Sequence, residues 1–579
     1  MSLDTFPNQT TNEEEEDLIF PQANFTAIES ISQWMATTYG PVSHDKLVIN
    51  QLSSEEETVA GEPAVDDYVI TDDGALLLKS LPMQHPITPV VRRMAGPDRP
   101  GETDVEGKDI KDGVTSTLLF AGALAEEATK LIEQGIHPRT IQEGYIEARE
   151  IAASEFSKSV IPIDSINPND IARSVLTGNT LGGQTDQWAS IAEDAAQMVG
   201  CPTEVSFAVR TFSTGSIDDS RLVQGAVLDR SEIVNEKMPR RASNASILIL
   251  GGHEGTGLQK RTLAAKATLD ITSPKDIAAF ENEYSNERDT VVKQIIEAGA
   301  DVVLTQEGID ADYQEALAQE GILGIRGVTP VDLAQVAHAT GASILIDPQD
   351  IRSSDLGHAG VVEEQQTDPR ENRRATRRMV MFKECANPNS VAVIVRGVRG
   401  QLGEQVTIAL RKAVDAIATV EGETSQPSGA IPGGGSSELA AAAAIRDAAP
   451  TEASKRQIAM VAYADALERI PATLVRNAGF DPLTLLPDLR ASRMDNSSTG
   501  ISLPSGEIRG MVSDGIFDPL GTRLNMLTTA TEVIALLLKI DDTIDATSKM
   551  QIDSGDAIYD EPAERHEEYI GEHDDTIWN

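Results

Sequence analysis

The sequence predicts a multidomain protein of mixed α and β structure, in which both ends of the chain form a mostly helical domain and an α/β domain is inserted between them. Two observations lead to this fold class. Long amphipathic stretches with apolar residues at helical spacing occupy both flanks, whereas short β-rich runs alternate with helical segments in the middle. At 579 residues the chain has room for two to four domains with buried cores.

Five long stretches of the flanks predict helices. Two precede the middle region, TSTLLFAGALAEEATKLIEQG and TIQEGYIEAREIAASEFSKS. Three follow it, SSELAAAAAIRDAA, KRQIAMVAYADALERIPATLVRNAG and RLNMLTTATEVIALLLKIDDTIDAT. In the middle, runs such as ASILILGG, DVVLTQEG and SVAVIVRGV predict strands, and ERDTVVKQIIEAGA and PVDLAQVAHATG predict the helices between them. This alternation is typical of an α/β unit.

The charge balance limits the partners of the chain. The formal net charge is −44, from 92 acidic and 48 basic residues. Such a charge works against binding to nucleic acid or to an anionic membrane. Because the acidic residues are spread along the whole length, we interpret them as the surface of a protein from a salt-rich cytoplasm, where salt screens their repulsion. The alternative is an ordinary acidic protein with acidic tails.

Other features of the chain also predict a cytoplasmic protein. The N-terminal residues have neither the basic nor the apolar region of a signal peptide, and the apolar run EVIALLLKI is too short to span a bilayer. The two cysteines, Cys201 and Cys385, form no disulfide framework and have no metal-ligand spacing.

The stretch DIKDGVTSTLLFAGAL is a candidate phosphate-binding loop. Asp112 and Gly113 lead through Thr115 and Ser116 into an apolar run with helical spacing. A helix N-terminus offers free N–H groups to a phosphate, and Asp112 beside that phosphate makes sense as a ligand of a bridging Mg²⁺. The alternative is a turn followed by a helix cap, which the local sequence by itself favours.

Four other motifs have a structural and a functional interpretation. TTYGPVSHDK ends a helical stretch at a Gly-Pro pair, and VITDDGALLLK predicts a hairpin turn. IPGGGSSEL places three glycines before a helix, where backbone and ligand can approach closely, and GIFDPLGTR has an aspartate before a proline, as a turn does. The residues concerned are Gly40, Pro41, Asp73, Gly74, Gly433, Gly434, Gly435 and Asp518.

These motifs, in this order, resemble those of the group II chaperonins, the thermosome family of archaea and its eukaryotic cytosolic relatives. TTYGP…DK is similar to TTLGPKGMDK, VITDDGALLLKSLPMQHP to VTNDGxTIL…HP, and KDGVTSTLLFAGAL to GDGTTTAVVLAGEL. Further on, GILGIRGVTPVDLAQVAHATGA resembles the substrate-facing apical domain, and GEIRGMVSDGIFDPLGTR the second half of the ATP-binding domain. The resemblance covers roughly residues 28–548.

The resemblance implies three domains. A mostly helical equatorial domain comprises residues 1–160 and 426–579, with acidic tails at 1–27 and 550–579. A small, hinge-like intermediate domain comprises 161–222 and 387–425. The inserted α/β apical domain, 223–386, carries a helical lid protrusion at about 243–290.

The implied function is that of a molecular chaperone. Its subunits, identical or paralogous, would form a double ring that binds and encloses non-native proteins, with ATP and Mg²⁺ as cofactors. Asp112 is the implied metal ligand, and Asp73 a possible contact of water or metal. The implied nucleotide-binding residues are Gly40, Pro41, Asp73, Gly74, Asp112, Gly113, Thr115, Ser116, Gly433, Gly434, Gly435 and Asp518.

The sequence departs from the family pattern at the nucleotide chemistry. Val42 and Ser43 replace Lys-Gly, Val114 replaces a threonine, and Asn179 replaces a lysine that senses the γ-phosphate. Lys412 stands where the family has the aspartate that activates the attacking water, so no catalytic residue is intact. A positioned general base contributes about 10² to 10⁴ in rate, and an ammonium has no lone pair for that task.

We therefore expect the chain to bind nucleotide but to hydrolyse it feebly. Asp415 lies one helical turn beyond Lys412, about 5 Å away, too far to serve in its place. Lys412 could instead reach Asp73 or Asp112 in place of Mg²⁺ and hold one conformation without ATP. The alternative function is a non-hydrolysing chaperonin-like scaffold or adaptor; an unrelated α/β enzyme has little support, because the eight histidines have no ligand spacing.

Overall fold

The computed structural model describes residues 20–50, 67–81, 85–95, 113–178, 184–229, 232–252, 258–259, 288–348, 351–366, 378–398 and 400–540. It confirms the mixed α and β fold. The described residues form three large hydrophobic clusters, one from both ends of the chain, one from its middle, and one from the two segments between them.

The first cluster is helical and includes residues on both sides of the inserted middle region. At its centre the helix Val114–Glu133 packs against Phe20–Met35, Arg456–Leu467 and Leu520–Leu537. Nearly all of its first twelve residues are buried, because apolar and small side chains surround this part of the helix on every side. The other helices of this part of the chain are Gly74–Ser80, Thr88–Arg92, Pro138–Lys158, Ser436–Ala448, Arg469–Asn477, Pro482–Asp495 and Met511–Asp514.

The predicted helix over 455–479 is two helices. Arg456–Leu467 ends before Glu468, and Arg469–Asn477 follows it. Pro471 explains the break, because a proline has no N–H to donate and its ring collides with the carbonyl four residues earlier. Glu468 lies at the joint and accepts a hydrogen bond from Arg446 Nη1 at 2.6 Å. A second arginine, Arg490, also pairs with it.

The second cluster lies in the middle of the chain, on a sheet of ten strands among the described residues. Three helices lie between strands of this sheet in chain order, namely a helix at 288–298, Ala311–Gln319 and Pro330–Thr340. The predicted strands in ASILILGG, DVVLTQEG and SVAVIVRGV are all present. Nine strands pair in the order Phe207–Phe212, Val391–Arg396, Arg221–Leu228, Arg378–Cys385, Gly357–Gln366, Arg241–Leu250, Val302–Thr305, Leu323–Arg326 and Glu232–Ile233, and Ile344–Leu345 pairs with Arg241–Leu250.

The third cluster joins the other two. It contains helices Pro168–Leu176 and Thr185–Val199 and the long helix Gln401–Glu421, which we call the Lys412 helix. This helix buries a stripe of residues that recur with helical spacing, Val406, Ala409, Leu410, Ala413, Val414 and Ile417. Lys412 lies off this stripe and is therefore directed away from the cluster.

The DDG motif, residues 72–74, begins a helix and does not form the predicted hairpin turn. Strand Asp67–Thr71 pairs antiparallel with Lys46–Asn50, and the DDG motif follows the second of these strands and does not lie between them. The prediction of a hairpin turn at residues 72–74 was wrong, because Asp73 is the N-cap of helix Gly74–Ser80. Two more short strand pairs lie in the C-terminal part, Ala430–Pro432 with Phe517–Pro519 and Thr499–Ser502 with Glu507–Gly510.

Most of the predicted lid segment, about 243–290, lies outside the described residues. Its first residues belong to strand Arg241–Leu250 of the large sheet, and its last belong to the helix at 288–298. The predicted C-terminal tail at 550–579 and residues 1–19 of the predicted N-terminal tail lie outside the described part of the chain. The prediction of a tail was wrong for residues 20–27, which belong to helix Phe20–Met35, because Phe25 is buried in the helical cluster. None of the described helices combines the length and the hydropathy of a membrane-spanning segment.

Candidate functional site

The predicted loop at 109–117 is described from Gly113 onward. Gly113 has a left-handed φ of 80° and is the N-cap of the helix that begins at Val114, one residue earlier than predicted. Its carbonyl accepts hydrogen bonds from Ser116 Oγ at 2.8 Å and from Thr117 Oγ1 at 2.9 Å. The single donor of the Ser116 hydroxyl is thus used within the loop, and what this N-terminus offers a ligand is backbone N–H groups.

Two helix starts meet at this loop. A Cβ atom added to Gly74 would lie 2.3 Å from Thr115 Oγ1 and 2.9 Å from the backbone nitrogen of Thr115. Only a glycine allows this approach. On the other side, a Cβ atom on Gly113 would lie 2.7 Å from Thr522 Cγ2. Gly74, Gly113 and Thr115 therefore lie at one place, next to the start of helix Leu520–Leu537.

The contact of Gly74, Gly113 and Thr115 is the first wall of the candidate site. The glycine loop, Gly433–Gly435, forms the second wall. It follows strand Ala430–Pro432 and leads directly into helix Ser436–Ala448, with Gly435 at the N-cap. Gly434 and Gly435 have φ angles of 59° and 76°, which glycine adopts without strain. Asp518, in the paired strand, lies beside this loop, because a Cβ atom on Gly433 would be 3.4 Å from Asp518 Oδ2.

The third wall is the segment around Gly40 and Pro41, which follows the end of the first helical stretch as predicted. A Cβ atom on Gly178 would lie 2.7 Å from Pro41 Cα, so the segment preceding Asn179 packs on this wall. Asn179 and Asp112 themselves lie outside the described residues. Val114, one of the substituted positions, is buried in the helical cluster.

Lys412 pairs with Asp73. The Nζ atom contacts Asp73 Oδ2, and the two side chains are 24% and 8% exposed. The other oxygen of Asp73 accepts a hydrogen bond from the backbone nitrogen of Leu76 at 2.8 Å, which caps the helix Gly74–Ser80. The ammonium thus stands against the carboxylate that begins this helix, at the Gly74–Thr115 contact described above.

A second carboxylate lies near the same ammonium. Asp72 Oδ2 accepts a hydrogen bond from Ser43 Oγ at 3.1 Å, so the substituted residue Ser43 is tied to the DDG turn. Burial raises the pKa of Asp72, and the positive charge of Lys412 and the hydrogen bond from Ser43 oppose this rise. Nearer the N-terminus of the Lys412 helix, Gln405 Nε2 donates a hydrogen bond to the carbonyl oxygen of Ile70 at 3.5 Å.

Arg523 is the centre of a buried charge cluster that the sequence did not predict. Its Nη2 lies 2.8 Å from Asp518 Oδ2 and its Nη1 lies 3.3 Å from Glu438 Oε1. Nη1 also donates a hydrogen bond to the Tyr39 hydroxyl at 3.2 Å. The arginine therefore joins the segment before Gly40, the helix that follows the glycine loop, and Asp518.

The electrostatics of this cluster follow from burial. Burial raises the pKa of Glu438, although the charge of Arg523 opposes the rise. It also raises the pKa of Tyr39 to about 12, so this hydroxyl keeps its proton. For Arg523, burial lowers the pKa, but Asp518, Tyr39 and Glu438 outweigh it and hold the pKa well above its ordinary value. Arg523 is thus a permanent cation.

The described residues fit an anionic nucleotide better than they fit a metal ion. Helix N-termini and the glycine loop present backbone N–H groups, which suit phosphate. Within the described part of the chain, no three histidine, cysteine, aspartate or glutamate residues lie together as metal ligands. The carboxylate of Asp73 already forms an ion pair with Lys412. A magnesium ion held here would depend on Asp112 and on the phosphates themselves.

The fold and the site define the class of protein. Helices from both ends of the chain, an inserted sheet and glycine-lined helix starts together are typical of the chaperonin architecture. The family model of the TCP-1/cpn60 chaperonin family matches residues 31–548, and the chain belongs to this family. Within the family it is a group II chaperonin, a molecular chaperone subunit, as its resemblance to that group predicted.

Curated relatives agree with this assignment over most of the chain. The chain is 32% identical to the thermosome subunit beta of Archaeoglobus fulgidus, over 90% of this chain and 91% of the relative. It is 33% identical to the thermosome subunit beta of Aeropyrum pernix, over the same shares. The thermosome subunit of Methanopyrus kandleri is 31% identical over 90% of this chain and 91% of the relative.

Proposed function

We propose that this chain is a chaperonin subunit that binds ATP but hydrolyses it slowly. The observation that carries the proposal is the ion pair between Lys412 and Asp73. The residue at the family's water-activating position is a cation that is already bound to a carboxylate of the site. It has no lone pair to accept a proton from water, so the general base is missing.

The rest of the site supports binding of nucleotide. Gly74, Gly113 and Thr115 meet at the start of the buried helix Val114–Glu133, and the glycine loop and Asp518 form another wall. Family members use ATP, and these residues match the family's motifs. We propose that Asp112 completes the site as the ligand of Mg²⁺ where the phosphates bind.

We also propose the assembly and the domain boundaries that the resemblance implies. The relatives named as thermosome subunits support a ring of identical or paralogous subunits, which we propose is double and encloses non-native proteins. The three hydrophobic clusters support the division into equatorial, intermediate and apical domains. The charge of −44 supports a high-salt cytoplasm as the working environment.

Phosphate release tests the proposal. The purified chain is incubated with ATP and Mg²⁺ at high KCl, beside a thermosome subunit with an intact catalytic aspartate, and ATP binding is measured separately by calorimetry. We expect ATP to bind and phosphate to appear about 100-fold more slowly than with the intact subunit, the lower end of what a general base contributes. Turnover comparable to that of the intact subunit refutes the proposal.

A pair of variants makes the test specific. Lys412→Asp restores a carboxylate at the position of the missing base, and we expect it to raise phosphate release. Lys455→Asp makes the same change of charge on an exposed lysine and is expected to leave the rate unchanged. Equal effects of the two variants would show that net charge, and not the site, sets the rate.

The second candidate function is a non-hydrolysing scaffold or adaptor. The pairing of Asp73 with Lys412 favours it, because a site that already contains an internal cation responds less to ATP and Mg²⁺. Native mass and electron micrographs, with and without ATP, discriminate the two. Rings that change shape with ATP favour the chaperone that cycles; a monomer, or rings indifferent to ATP, favour the scaffold.

A further inference from the structure

Strand Phe207–Phe212 is the first in the pairing order of the large sheet, and its two faces have different neighbours. Because side chains alternate along a strand, Phe207 faces one side and Arg210 the other. Phe207 belongs to the hydrophobic cluster that contains the Lys412 helix. Its neighbour Ala208 belongs to a separate, smaller cluster on the other face. The strand therefore stands between two differently packed parts of the molecule.

On the first face, Arg411 of the Lys412 helix contacts the strand in two ways. Its Nη2 donates a hydrogen bond to the carbonyl oxygen of Phe207 at 3.3 Å. Its guanidinium also lies over the aromatic ring of Phe207, 5.7 Å from the ring centre, which adds a cation–π attraction. Polar contacts thus join the Lys412 helix to the strand in addition to their hydrophobic packing.

On the second face, Arg210 binds helix Pro330–Thr340. Its Nη2 contacts Asp332 Oδ1 and donates a hydrogen bond to Gln335 Oε1 at 2.6 Å. Asp332 and Gln335 are three positions apart and therefore lie on the same face of their helix. The Nε atom of Arg210 donates a hydrogen bond to the carbonyl oxygen of Val227 at 2.9 Å. The guanidinium is thus held between the sheet and the helix.

The helix also donates a hydrogen bond to the segment that precedes the strand. Gln335 Nε2 donates to the carbonyl oxygen of Glu204 at 2.9 Å. The side chains of Arg210 and Asp332 are 16% and 8% exposed, and Gln335 is buried as well. Removal of one partner from a buried ion pair is strongly unfavourable, because the other charge stays buried without compensation. The contacts therefore favour states in which the helix stays on the strand.

We propose that Arg210 is a latch that makes helix Pro330–Thr340 follow strand Phe207–Phe212, so that a displacement of the Lys412 helix reaches the middle of the chain. The strand relays the displacement, because Arg411 contacts it on one face and Arg210 binds the helix from the other. The proposal is independent of nucleotide binding, since all of its contacts lie within the chain. It gives the Lys412 helix a route to the segment that resembles the substrate-facing domain.

Hydrogen exchange of the full chain, followed by mass spectrometry, tests the latch. Arg210→Met is expected to accelerate exchange about 10- to 150-fold in peptides over 330–341, because hydrogen bonds to a charged group are lost. Arg210→Lys keeps the charge and should recover part of the protection. Arg241→Met is the matched control, because Arg241 lies in the same sheet and forms an exposed pair with Glu363 at 3.8 Å. It should leave exchange over 330–341 unchanged.

A variant on the other face of the strand tests the relay. Arg411→Met removes the contacts with Phe207 and is expected to accelerate exchange about 2- to 5-fold in peptides over 205–212, as loss of a cation–π contact does. Because the latch makes the strand and the helix open as one cooperative unit, peptides over 330–341 should accelerate by the same factor. In the Arg210→Met background, Arg411→Met should no longer affect them.

A further variant keeps the test decisive. Asp332→Asn breaks the same ion pair from the helix side and takes the place of Arg210→Met if that variant fails to fold. Exchange over 330–341 that stays within twofold of the unaltered chain in Arg210→Met, or in Asp332→Asn where it replaces that variant, overturns the latch. The relay is overturned if Arg411→Met leaves 330–341 unchanged, or if it accelerates them equally with and without the latch.

Discussion

Replacement of Lys412 by methionine tests whether its ion pair holds the Lys412 helix to the start of helix Gly74–Ser80. The two elements belong to different hydrophobic clusters, so the pair joins separately packed parts of the chain. Removal of one partner of a buried pair costs about 3 to 5 kcal/mol, and of an exposed pair about 0 to 1 kcal/mol. Asp73 is buried and Lys412 is about three-quarters buried, so we expect about 2 to 3 kcal/mol.

Hydrogen exchange followed by mass spectrometry measures this cost locally, which suits a chain of several clusters better than one global unfolding midpoint. A loss of 2 to 3 kcal/mol corresponds to about 30- to 150-fold faster exchange by local opening. We expect this acceleration in peptides over 69–80 and 405–418. Lys293→Met is the matched control, because Lys293 forms an exposed pair with Glu297 at 3.5 Å.

A double-mutant cycle identifies the partner. Asp73→Asn keeps an N-cap for the helix while it removes the charge. If Lys412 and Asp73 act as a pair, Lys412→Met adds little in the Asp73→Asn background. Exchange within twofold of the unaltered chain in Lys412→Met, or single effects that simply add, would refute the interpretation.

Three further results are expected. Burial would raise the pKa of Glu468, but hydrogen bonds from two arginines outweigh it and lower the pKa. Glu468→Gln should therefore lower the thermal midpoint at pH 7, and the difference should shrink as the pH falls below about 4.3, where the unfolded chain binds the proton. Gly74→Ala should destabilise by about 1 to 3 kcal/mol in denaturant unfolding, because its Cβ meets Thr115. Burial raises the pKa of Cys385 to about 11, so iodoacetamide at pH 8 should label the exposed Cys201 first, as peptide masses will show.

The predicted fold was accurate where one short-range rule decides the structure. The helices around Val114–Glu133 and the strands of the middle sheet follow from periodicity, since the same residues that repeat in sequence are those buried. The DDG motif was misassigned because two rules apply to it. Asp-Gly fits a hairpin turn, yet Asp73 is also a helix cap, and the buried Leu77 and Leu78 that follow at helical spacing decide for the helix.

Short-range rules could not predict the buried charge cluster around Arg523. Arg523 and Tyr39 are 484 positions apart, and Glu438 and Asp518 come from two other segments, so no local pattern relates them. One signal was present in the sequence, namely an arginine in the first turn of a helix, against the helix dipole. The motif order placed Asp73 and Lys412 in one site by resemblance, but only the structure shows them in contact.

The contact between Lys412 and Asp73 has a consequence for whatever else binds the site. A ligand that needs the carboxylate of Asp73 must first displace the ammonium, and linkage makes the effect reciprocal. The factor by which the ion pair weakens that ligand equals the factor by which the ligand loosens the Lys412 helix. Because the helix belongs to the cluster that joins the sheet to the helical part of the chain, we expect this ion pair to lower ligand affinity and conformational response together. A neutral residue at position 412 would lack the general base as well, but we expect it to leave the response to binding intact.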